Sequence, residues 1–320
     1  MADTGDGGPS GRTGGTLRVF AAAAALGTLG PVAGLGYQAG LTPALFSALR
    51  AGIGAGVLGL LIATGRQPSI RLSTLAPRER GLLVAAVVVN GLMNLALFFA
   101  FGAMTVALVM VIFYTYPVLT AIGSVALGRE RMTPVRVAAL ACSVLGLVLV
   151  LGGQIGPGAH ATLAGVALAA IAALGHATYL IIIRGGFDRV PAAQATSLVL
   201  AGGLVISGTA ALLLNGAAIA GSWALSPVAW ATVLFAGTFG AAFPKVWVMS
   251  GVRLIGSTRA AVVMLMEPVV AVVVAAALLG QTLTLTELLG GIAILAAVVL
   301  VQRPDPAATG GIPVLVEAVD

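Results

Sequence analysis

The sequence predicts an all-α integral membrane protein with ten transmembrane helices in two inverted five-helix repeats. Three observations lead to this prediction: an apolar composition, ten apolar segments of membrane-spanning length, and a motif that occurs twice. Of the 320 residues, 59% are hydrophobic and 8% are charged, whereas about a quarter of the residues in a soluble domain are charged. So few polar groups cannot cover a folded surface in water, so the surroundings must be lipid. Because the apolar runs are continuous rather than alternating, helices are favoured over the strands of a membrane barrel.

Ten apolar segments follow one another along the chain, each near the roughly 20 residues that cross about 30 Å of hydrocarbon. They cover approximately residues 17–37, 42–64, 81–101, 105–127, 134–152, 162–183, 194–214, 227–249, 258–279 and 285–302. The polar, glycine-rich residues 1–16 are expected to form a disordered cytoplasmic N-terminus. Residues 303–320 contain prolines and a glycine pair, and we expect them to form a flexible cytoplasmic tail.

The arginine residues determine the predicted topology. All of them except Arg50 lie before or at the start of segment 1, after segment 10, or in or beside the connections 2–3, 4–5, 6–7 and 8–9, while the alternate connections contain neither Lys nor Arg. Cytoplasmic connections of membrane proteins carry the excess of positive charge. We therefore predict a multi-pass protein of the cell inner (plasma) membrane with both termini in the cytoplasm.

A motif that begins in segment 4 occurs again in segment 9. Residues 115–133 read TYPVLTAIGSVALGRERMT, and residues 266–284 read MEPVVAVVVAAALLGQTLT. Pro117 and Pro268 occupy the same place in the two copies. A proline inside a helix removes one hydrogen bond and kinks the span. We expect two equivalent bends, one in each half of the molecule.

The repeated motif divides the chain into two similar halves, residues 17–152 and 162–302. Helices 1–5 start in the cytoplasm and helices 6–10 start outside, so two similar halves must have opposite orientations. Inverted repeats place a substrate site near the middle of the membrane, between the halves. Rocking of one half against the other then gives alternating access.

Three stretches point to a known family. They read SALRAGIGAGVLGLL, TYPVLTAIGSVALGRERMTP and GVRLIGSTRAAVVMLMEPVVAVVVAAALLGQTLT, and the first contains Arg50. In these stretches the chain resembles the drug/metabolite transporter superfamily, of the ten-helix EamA type, and the resemblance covers residues 17–302. It implies two EamA repeats, a central cavity, and transport of a small metabolite, often outward. One departure is Gln281, where the family often has a glutamate, as the first half does at Glu130.

Three charged residues lie inside predicted membrane segments and more than three residues from either end: Arg50, Lys245 and Glu267. A charge at the centre of a membrane helix costs about 2.5–3.5 kcal/mol on insertion scales, so it usually faces a cavity or a partner. Arg50 is either a structural arginine that binds backbone carbonyls or a clamp for an anion. Lys245, close to the cytoplasmic end of segment 8, either extends to the membrane surface or faces the cavity, and we favour the cavity. Pro244, just before it, is expected to loosen the helix and free a nearby carbonyl.

Two roles are open for Glu267. It is a counter-ion of Lys245 or Arg50, or it is a protonation site that couples transport to protons. We favour the ion pair with Lys245, because a short connection joins segments 8 and 9. Glu130, between Arg129 and Arg131, is expected to be a solvated structural residue at the membrane surface.

Five uncharged polar residues complete the predicted cavity. Asn90 and Asn94 share one face of segment 3, and His176 and Tyr179 share one face of segment 6; Tyr116 precedes the first repeated proline. Hydrogen bonding between helices and contact with a substrate are both open for the asparagines. For Tyr116, a hydroxyl that faces the cavity and aromatic packing are both open, and His176 is expected to be a packed, hydrogen-bonded residue. A relay of protons is a further role open for the histidine.

Other classes of function lack their sequence signals. The single cysteine, Cys142, provides neither a disulfide framework nor metal-ligand spacing, and we find no phosphate loop, no zinc-protease motif and no hydrolase triad. We therefore predict no catalytic residues, no cofactor, no metal and no nucleic-acid partner. The prediction is a secondary transporter that exports a small zwitterionic or anionic metabolite, such as an amino acid, as a monomer or homodimer in the lipid bilayer. A lipid-directed flippase and a non-transporting scaffold or sensor remain the alternatives.

Overall fold

A computed structural model describes residues 9–104, 106–152, 161–220, 225–279 and 284–302 of the chain. Within these ranges the regular secondary structure is entirely helical. The α-helices, numbered in chain order, are α1 (Pro9–Gly27), α2 (Leu29–Gln38), α3 (Pro43–Ala63), α4 (Pro77–Ala103), α5 (Val106–Phe113), α6 (Tyr116–Ala126), α7 (Pro134–Gly152), α8 (Leu163–Ile183), α9 (Ala192–Ala220), α10 (Pro227–Gly237), α11 (Phe243–Ile255), α12 (Ser257–Met264), α13 (Met266–Leu279) and α14 (Leu285–Gln302). A short 3-10 helix (Leu72–Thr74) precedes α4, and a π-helical turn (Thr238–Ala242) joins α10 to α11.

Seven helical stretches among the described residues are long and apolar enough to cross a membrane. They are Pro43–Ala63, Pro77–Leu97, Leu108–Ala126, Pro134–Gly152, Leu163–Ile183, Ala192–Leu214 and Pro227–Ile255, and a shorter apolar helix covers Leu285–Val301. Large apolar side chains lie on the outer surface, among them Leu163 and Leu213, which are 87% and 80% exposed. The chain is thus an all-α membrane protein, while the count of ten spans stays a prediction.

The first predicted segment differs from the observed helices in its start and in its continuity. α1 begins at Pro9, so the second part of the predicted disordered N-terminus is helical, while residues 1–8 lie outside the described residues. The segment is also split, because Thr28 separates α1 from α2. The predicted tail, residues 303–320, lies outside the described residues as well.

The eighth predicted segment is longer in the structure than in the prediction. It continues without interruption through α10, the π-helical turn and α11 to Ile255, rather than ending at residue 249. Gly256 then ends the helix with φ +95°, a conformation that L side chains rarely adopt. The extension places the middle of this helix, including Lys245, deeper in the span than the sequence suggested.

The repeated motif forms equivalent broken helices. α5 and α12 both have eight residues and lie at the same distance before the two copies. α5 ends at the turn of Tyr114 and Thr115, and α12 ends at Leu265; a new helix then starts with Pro117 or Pro268 in its first turn. Proline has no N–H for the preceding turn, which accounts for a break at this place.

Equivalent helices of the two halves pack together in antiparallel pairs. α3 and α9 are one such pair: Ser47 contacts Ser207, and further along α3 the carbonyl of Ala55 accepts from Ser197. Since the α9 residue number falls as the α3 number rises, the two helices run in opposite directions. α7 and α14 form the second pair of equivalent helices.

The two other extensive pairings are related by exchange of partners. α4 packs on α8, and α1 packs on α11. In the repeat, α4 is equivalent to the α10–α11 helix, and α8 is equivalent to the α1–α2 helix. Replacing each helix of the α4–α8 pair by its equivalent in the other half therefore gives the α1–α11 pair. This is the pattern that a two-fold axis between the halves requires.

α7 and α14 approach each other closely enough for backbone contact. A methyl group at Gly146 would lie 2.7 Å from the carbonyl oxygen of Gly290, and one at Gly290 would lie 2.6 Å from that of Gly146. In lipid there is little hydrophobic drive between helices, so small residues that permit close van der Waals contact are what hold them together. This pair therefore fastens the two halves to each other.

Candidate functional site

A polar pocket lies where the two halves meet, between α3, α4, α9 and α11. Its lining is formed by Ser47, Arg50, Ala51, Asn90, Asn94, Val199, Leu200, Gly203, Ser207 and Lys245. The cavity volume is about 10 Å³, room for roughly one water molecule. Two of the lining residues, Arg50 and Lys245, are cations, and none of them is an acid.

The helix defect at Pro244 positions the Arg50 guanidinium. Pro244 has no N–H, so the carbonyl of Gly240, four residues earlier, lacks its usual helical partner. Arg50 donates from Nη1 to this oxygen at 3.3 Å. Its Nε is buried and has no hydrogen-bond partner. Arg50 therefore makes the backbone contact expected of a structural arginine. It also keeps an unpaired donor, which a clamp for an anion requires.

Lys245 and the two asparagines form one hydrogen-bonded group. Lys245 donates from Nζ to Oδ1 of Asn90 at 3.3 Å. Asn94 donates from Nδ2 to the Asn90 carbonyl at 2.7 Å and to Asn90 Oδ1 at 3.3 Å. Asn90 is only 2% exposed, and its Nδ2 is buried without a partner. The structure thus brings together the three residues that the sequence selected on two separate helices.

The expected ion pair between Lys245 and Glu267 is not formed. Among the described residues, none of the ion pairs includes either side chain. Glu267 is instead hydrogen-bonded to Tyr114 and interacts with the charges of Arg50 and Lys245 from further away. The prediction was wrong because a short connection brings two helices close but does not decide which neighbour a side chain meets. Lys245 donates to Asn90 across the interface between the halves, and its helix continues to Ile255.

An aromatic cluster lies beside the cation group. Its members are Phe113, Tyr114, Tyr116, His176 and Tyr179, with ring centroids 4.4 Å apart for Tyr116 and His176 and 6.5 Å apart for His176 and Tyr179. The Lys245 ammonium lies 5.8 Å from the centre of the Tyr179 ring, a distance typical of a cation–π contact. The cluster thus connects the pocket with Glu267 through Tyr114.

Tyr116 and His176 differ in how far their polar atoms are satisfied. The Tyr116 hydroxyl donates to the carbonyl of Ala261 at 3.5 Å, across the two halves. Nδ1 of His176 lies 3.3 Å from the sulfur of Met93, while its Nε2 is buried without a partner. Tyr116 is thus a structural link, and His176 retains one unused polar atom.

Two serines of the pocket were missed by sequence reasoning. Ser47 lies one helical turn before Arg50, on the same face of α3, so its spacing was a usable signal. Ser207 lies in a mostly apolar part of α9, where a serine can bond its own helix and gives no such signal. In the structure the hydroxyls of Ser47 and Ser207 lie 3.4 Å apart.

One end of the helix bundle carries the arginines, and we call it the arginine-rich end: Arg129, Arg136, Arg184, Arg189 and Arg253. Here Glu130 of the first half accepts from Ser257 Oγ at 3.2 Å and from the backbone N–H of Thr258 at 3.4 Å. Its other carboxylate oxygen pairs with Arg136 at 3.3 Å, and its side chain is only 10% exposed. The expectation of a solvated residue was therefore wrong.

Further bonds join the halves at the arginine-rich end. Ser124 Oγ lies 2.8 Å from Ser257 Oγ. Arg129 donates from Nη1 to the carbonyls of Ile181 at 2.6 Å and of Arg184 at 3.0 Å. These bonds hold α6 of the first half against α8 and α12 of the second, so this end of the bundle is closed.

The sequence matches the EamA-like transporter family over residues 13–152 and again over residues 163–303. These two matches cover nearly the whole chain, and the protein belongs to this family. No match was found among curated proteins. A solved structure described as "Crystal structure of protein" is similar in fold, with a TM-score of 0.74 at 19% identity, over 90% of this chain and 97% of that one.

Proposed function

We propose that the protein is a secondary transporter that exports a small polar metabolite, zwitterionic or anionic, such as an amino acid, by alternating access. It crosses the inner membrane ten times as two inverted five-helix repeats, as a monomer or homodimer. Both termini and the arginine-rich end are in the cytoplasm. Membership of the EamA-like transporter family supports a transport function, and the antiparallel pairing of equivalent helices supports the inverted arrangement.

The observation that carries this proposal is the position of the central pocket at the contact between the repeats. The first repeat contributes Arg50 and Asn90, and the second contributes Lys245 and Ser207. Polar groups inside a membrane protein are costly unless they are satisfied. A ligand that completes the unpaired donors gives a reason for their presence, and a scaffold would not need them.

The conformation described here fits the closed state of an alternating-access cycle. The pocket has room for about one water molecule, and the contacts of Glu130 close the arginine-rich end. In the proposed cycle these contacts break when the pocket opens to the cytoplasm. Binding of the metabolite requires the helices around the pocket to separate first.

Coupling to protons is part of the proposal, with Glu267 as the proton carrier. Glu267 lies at the second proline break, is half-buried, and is hydrogen-bonded to Tyr114 without a direct cation partner among the described residues. An ionisable residue within a membrane span is by default a candidate for such a relay. The charges of Arg50 and Lys245 act on it from a distance, which links its protonation to the pocket.

Flux through proteoliposomes tests the transport proposal. We expect the purified protein to move at least one amino acid or small organic anion faster than empty liposomes, and Lys245→Ala or Arg50→Ala to lower that flux at least tenfold. The physical reason is that each substitution removes a cation that faces the pocket. Flux of every candidate equal to that of empty liposomes would show that the protein is not a transporter of this class. Movement of labelled lipid alone would favour a flippase.

A further inference from the structure

We propose that the central pocket is a carboxylate subsite, in which Asn90 is fixed as a hydrogen-bond donor to the ligand by Lys245. The inference deepens the proposed function, on which the transport role of the site rests, by assigning the chemical class of the bound group and the residue that recognises it. Its ligand is a small molecule with a carboxylate that enters the pocket and a compact remainder that stays outside.

The first step is the orientation of the Asn90 amide. An ammonium group has three donors and no acceptor, so the atom of Asn90 that faces Lys245 Nζ at 3.3 Å must be the oxygen. Asn94 Nδ2, at 3.3 Å from the same atom, donates to it as well. The NH2 group of Asn90 is therefore directed away from both neighbours.

The second step is what this orientation leaves unsatisfied. Asn90 is 2% exposed, and its Nδ2 is buried without a hydrogen-bond partner. The Nε of Arg50 is in the same condition. Leaving a buried donor unpaired costs about as much as a lost hydrogen bond, so two such donors lining one pocket indicate that an acceptor belongs there.

The third step is the charge of the pocket. Its lining contains two cations and no acid. Lys245 donates to Asn90, and an ammonium has three N–H groups, so it can also donate to a ligand. Glu267 is an acid whose charge interacts with both cations, but it lies outside the lining and is hydrogen-bonded to Tyr114. A neutral acceptor would satisfy the donors, but only an anion also balances the charge.

The fourth step is size. The pocket has about 10 Å³, room for roughly one water molecule, so any anion must displace part of the lining, and a carboxylate with two oxygens is smaller than a phosphate with four. A Cβ added at Gly203 would meet only Ala51, at 3.7 Å, so this side of the pocket has space for the start of an apolar substituent. Carboxylate is therefore the anion that fits with the least movement of the lining.

Thermal stability of the purified full chain in detergent tests the proposal, with propionate as the probe. We expect propionate to raise the melting temperature in a saturable way, and propionamide, which is its uncharged near-isostere, to have no effect. Asn90→Asp keeps the oxygen that Lys245 needs and replaces the donor with an acceptor. We expect this variant to bind propionate at least roughly tenfold more weakly.

Arg50→Lys is the second variant, for the case that Asn90→Asp does not fold. It keeps the positive charge but lacks Nε, and we expect a similar loss of affinity for propionate. Equal stabilisation by propionamide would overturn the assignment of an anion site. If inorganic phosphate stabilised the protein and propionate did not, the assignment to carboxylates would be overturned. Undiminished propionate binding by Asn90→Asp would overturn the role of Asn90.

The two proposals fail in different ways. Propionate binding without flux of any substrate would remove the transport function and leave the carboxylate subsite in place. Flux that is retained in Asn90→Asp, together with no binding of propionate by the unaltered protein, would remove the subsite and leave transport in place.

Discussion

Pro244 lacks the N–H that would bond the carbonyl of Gly240, and Arg50 donates to that carbonyl instead. One missing hydrogen bond thus explains both the π-helical turn before α11 and the anchoring of a cation on α3. The neighbouring Lys245 is then held by Asn90. The lining of the pocket follows from the local chemistry of a few residues on three helices.

Glu267 and its neighbours give a prediction for the dependence of transport on protons. Glu267→Gln retains the shape of the side chain but cannot release a proton, so we expect flux in proteoliposomes to become insensitive to an imposed proton gradient. Glu287→Gln is the matched control, because Glu287 is an acid outside the pocket lining that bonds Thr284 at the start of α14. Proton dependence that is unchanged in Glu267→Gln would eliminate this residue as the carrier.

The residues of the pocket were predictable to the extent that their chemistry is rare in an apolar span. Arg50, Lys245 and Asn90 stood out because charges and amides are costly in a membrane helix. Ser207 did not stand out, since a serine can satisfy itself on its own helix. The direct contact of Lys245 with Glu267 was wrong, because sequence spacing gives the helix face but not the partner across the interface.

The arginine-rich end is held closed by a contact between the loop after α6, in the first half, and the start of α12, in the second half. Glu130, which follows α6, accepts from Ser257 and Thr258 at the start of α12. Orphan N–H groups and the dipole at a helix N-terminus favour a carboxylate there. The corresponding residue of the second half is Gln281, which lies outside the described residues. Since glutamine has no carboxylate, the sequence provides this carboxylate in the first half only.

Glu130→Gln is expected to shift the protein towards the state that is open at the arginine-rich end. Loss of the charge weakens the bonds to α12 and the pair with Arg136, an effect of about 1–2 kcal/mol, or roughly a 5- to 30-fold change in the ratio of states. Reactivity of a cysteine placed in the pocket towards a cytoplasmic reagent measures that ratio.

The matched control is Glu79→Gln, because Glu79 pairs with Arg189 at 3.8 Å and that arginine is 63% exposed. An exposed pair contributes little, so this substitution should leave the reactivity close to that of the unaltered protein. The role of Glu130 as a latch would be refuted by equal reactivity in the two variants.

Helices were predicted well where the sequence pattern is local, and less well where breaks or extensions depend on packing. Continuous apolar runs identified α3, α7 and α8 with small errors at their ends. The breaks at Thr28 and Leu265 and the extension to Ile255 depend on what each helix meets, which composition does not specify. The repeated prolines were informative because proline changes the backbone wherever it stands.

In the molecule as a whole, the partner exchange of α4–α8 and α1–α11 is the exchange that a two-fold axis between the halves requires. The repeat was visible in the sequence because Pro117 and Pro268 preserve it, while most of the apolar residues around them differ. The opposite directions of α3 and α9 agree with the opposite orientations that the distribution of arginines predicted for the two halves, while their packing on each other was not predicted. The closed arginine-rich end could not be predicted, since it depends on contacts between residues far apart in the chain.

Accessibility of the pocket from the two sides of the membrane tests the central claim most directly. A single cysteine is placed at Ser207, which is buried in the pocket, after the one native cysteine is removed by Cys142→Ala. The reagent is a membrane-impermeant maleimide, applied to either face of oriented vesicles that do not leak it. If the pocket alternates between the two sides, the cysteine reacts from each face in turn, and Glu130→Gln increases the reaction from the cytoplasmic face. Reaction from one face only, in both proteins, would contradict alternating access.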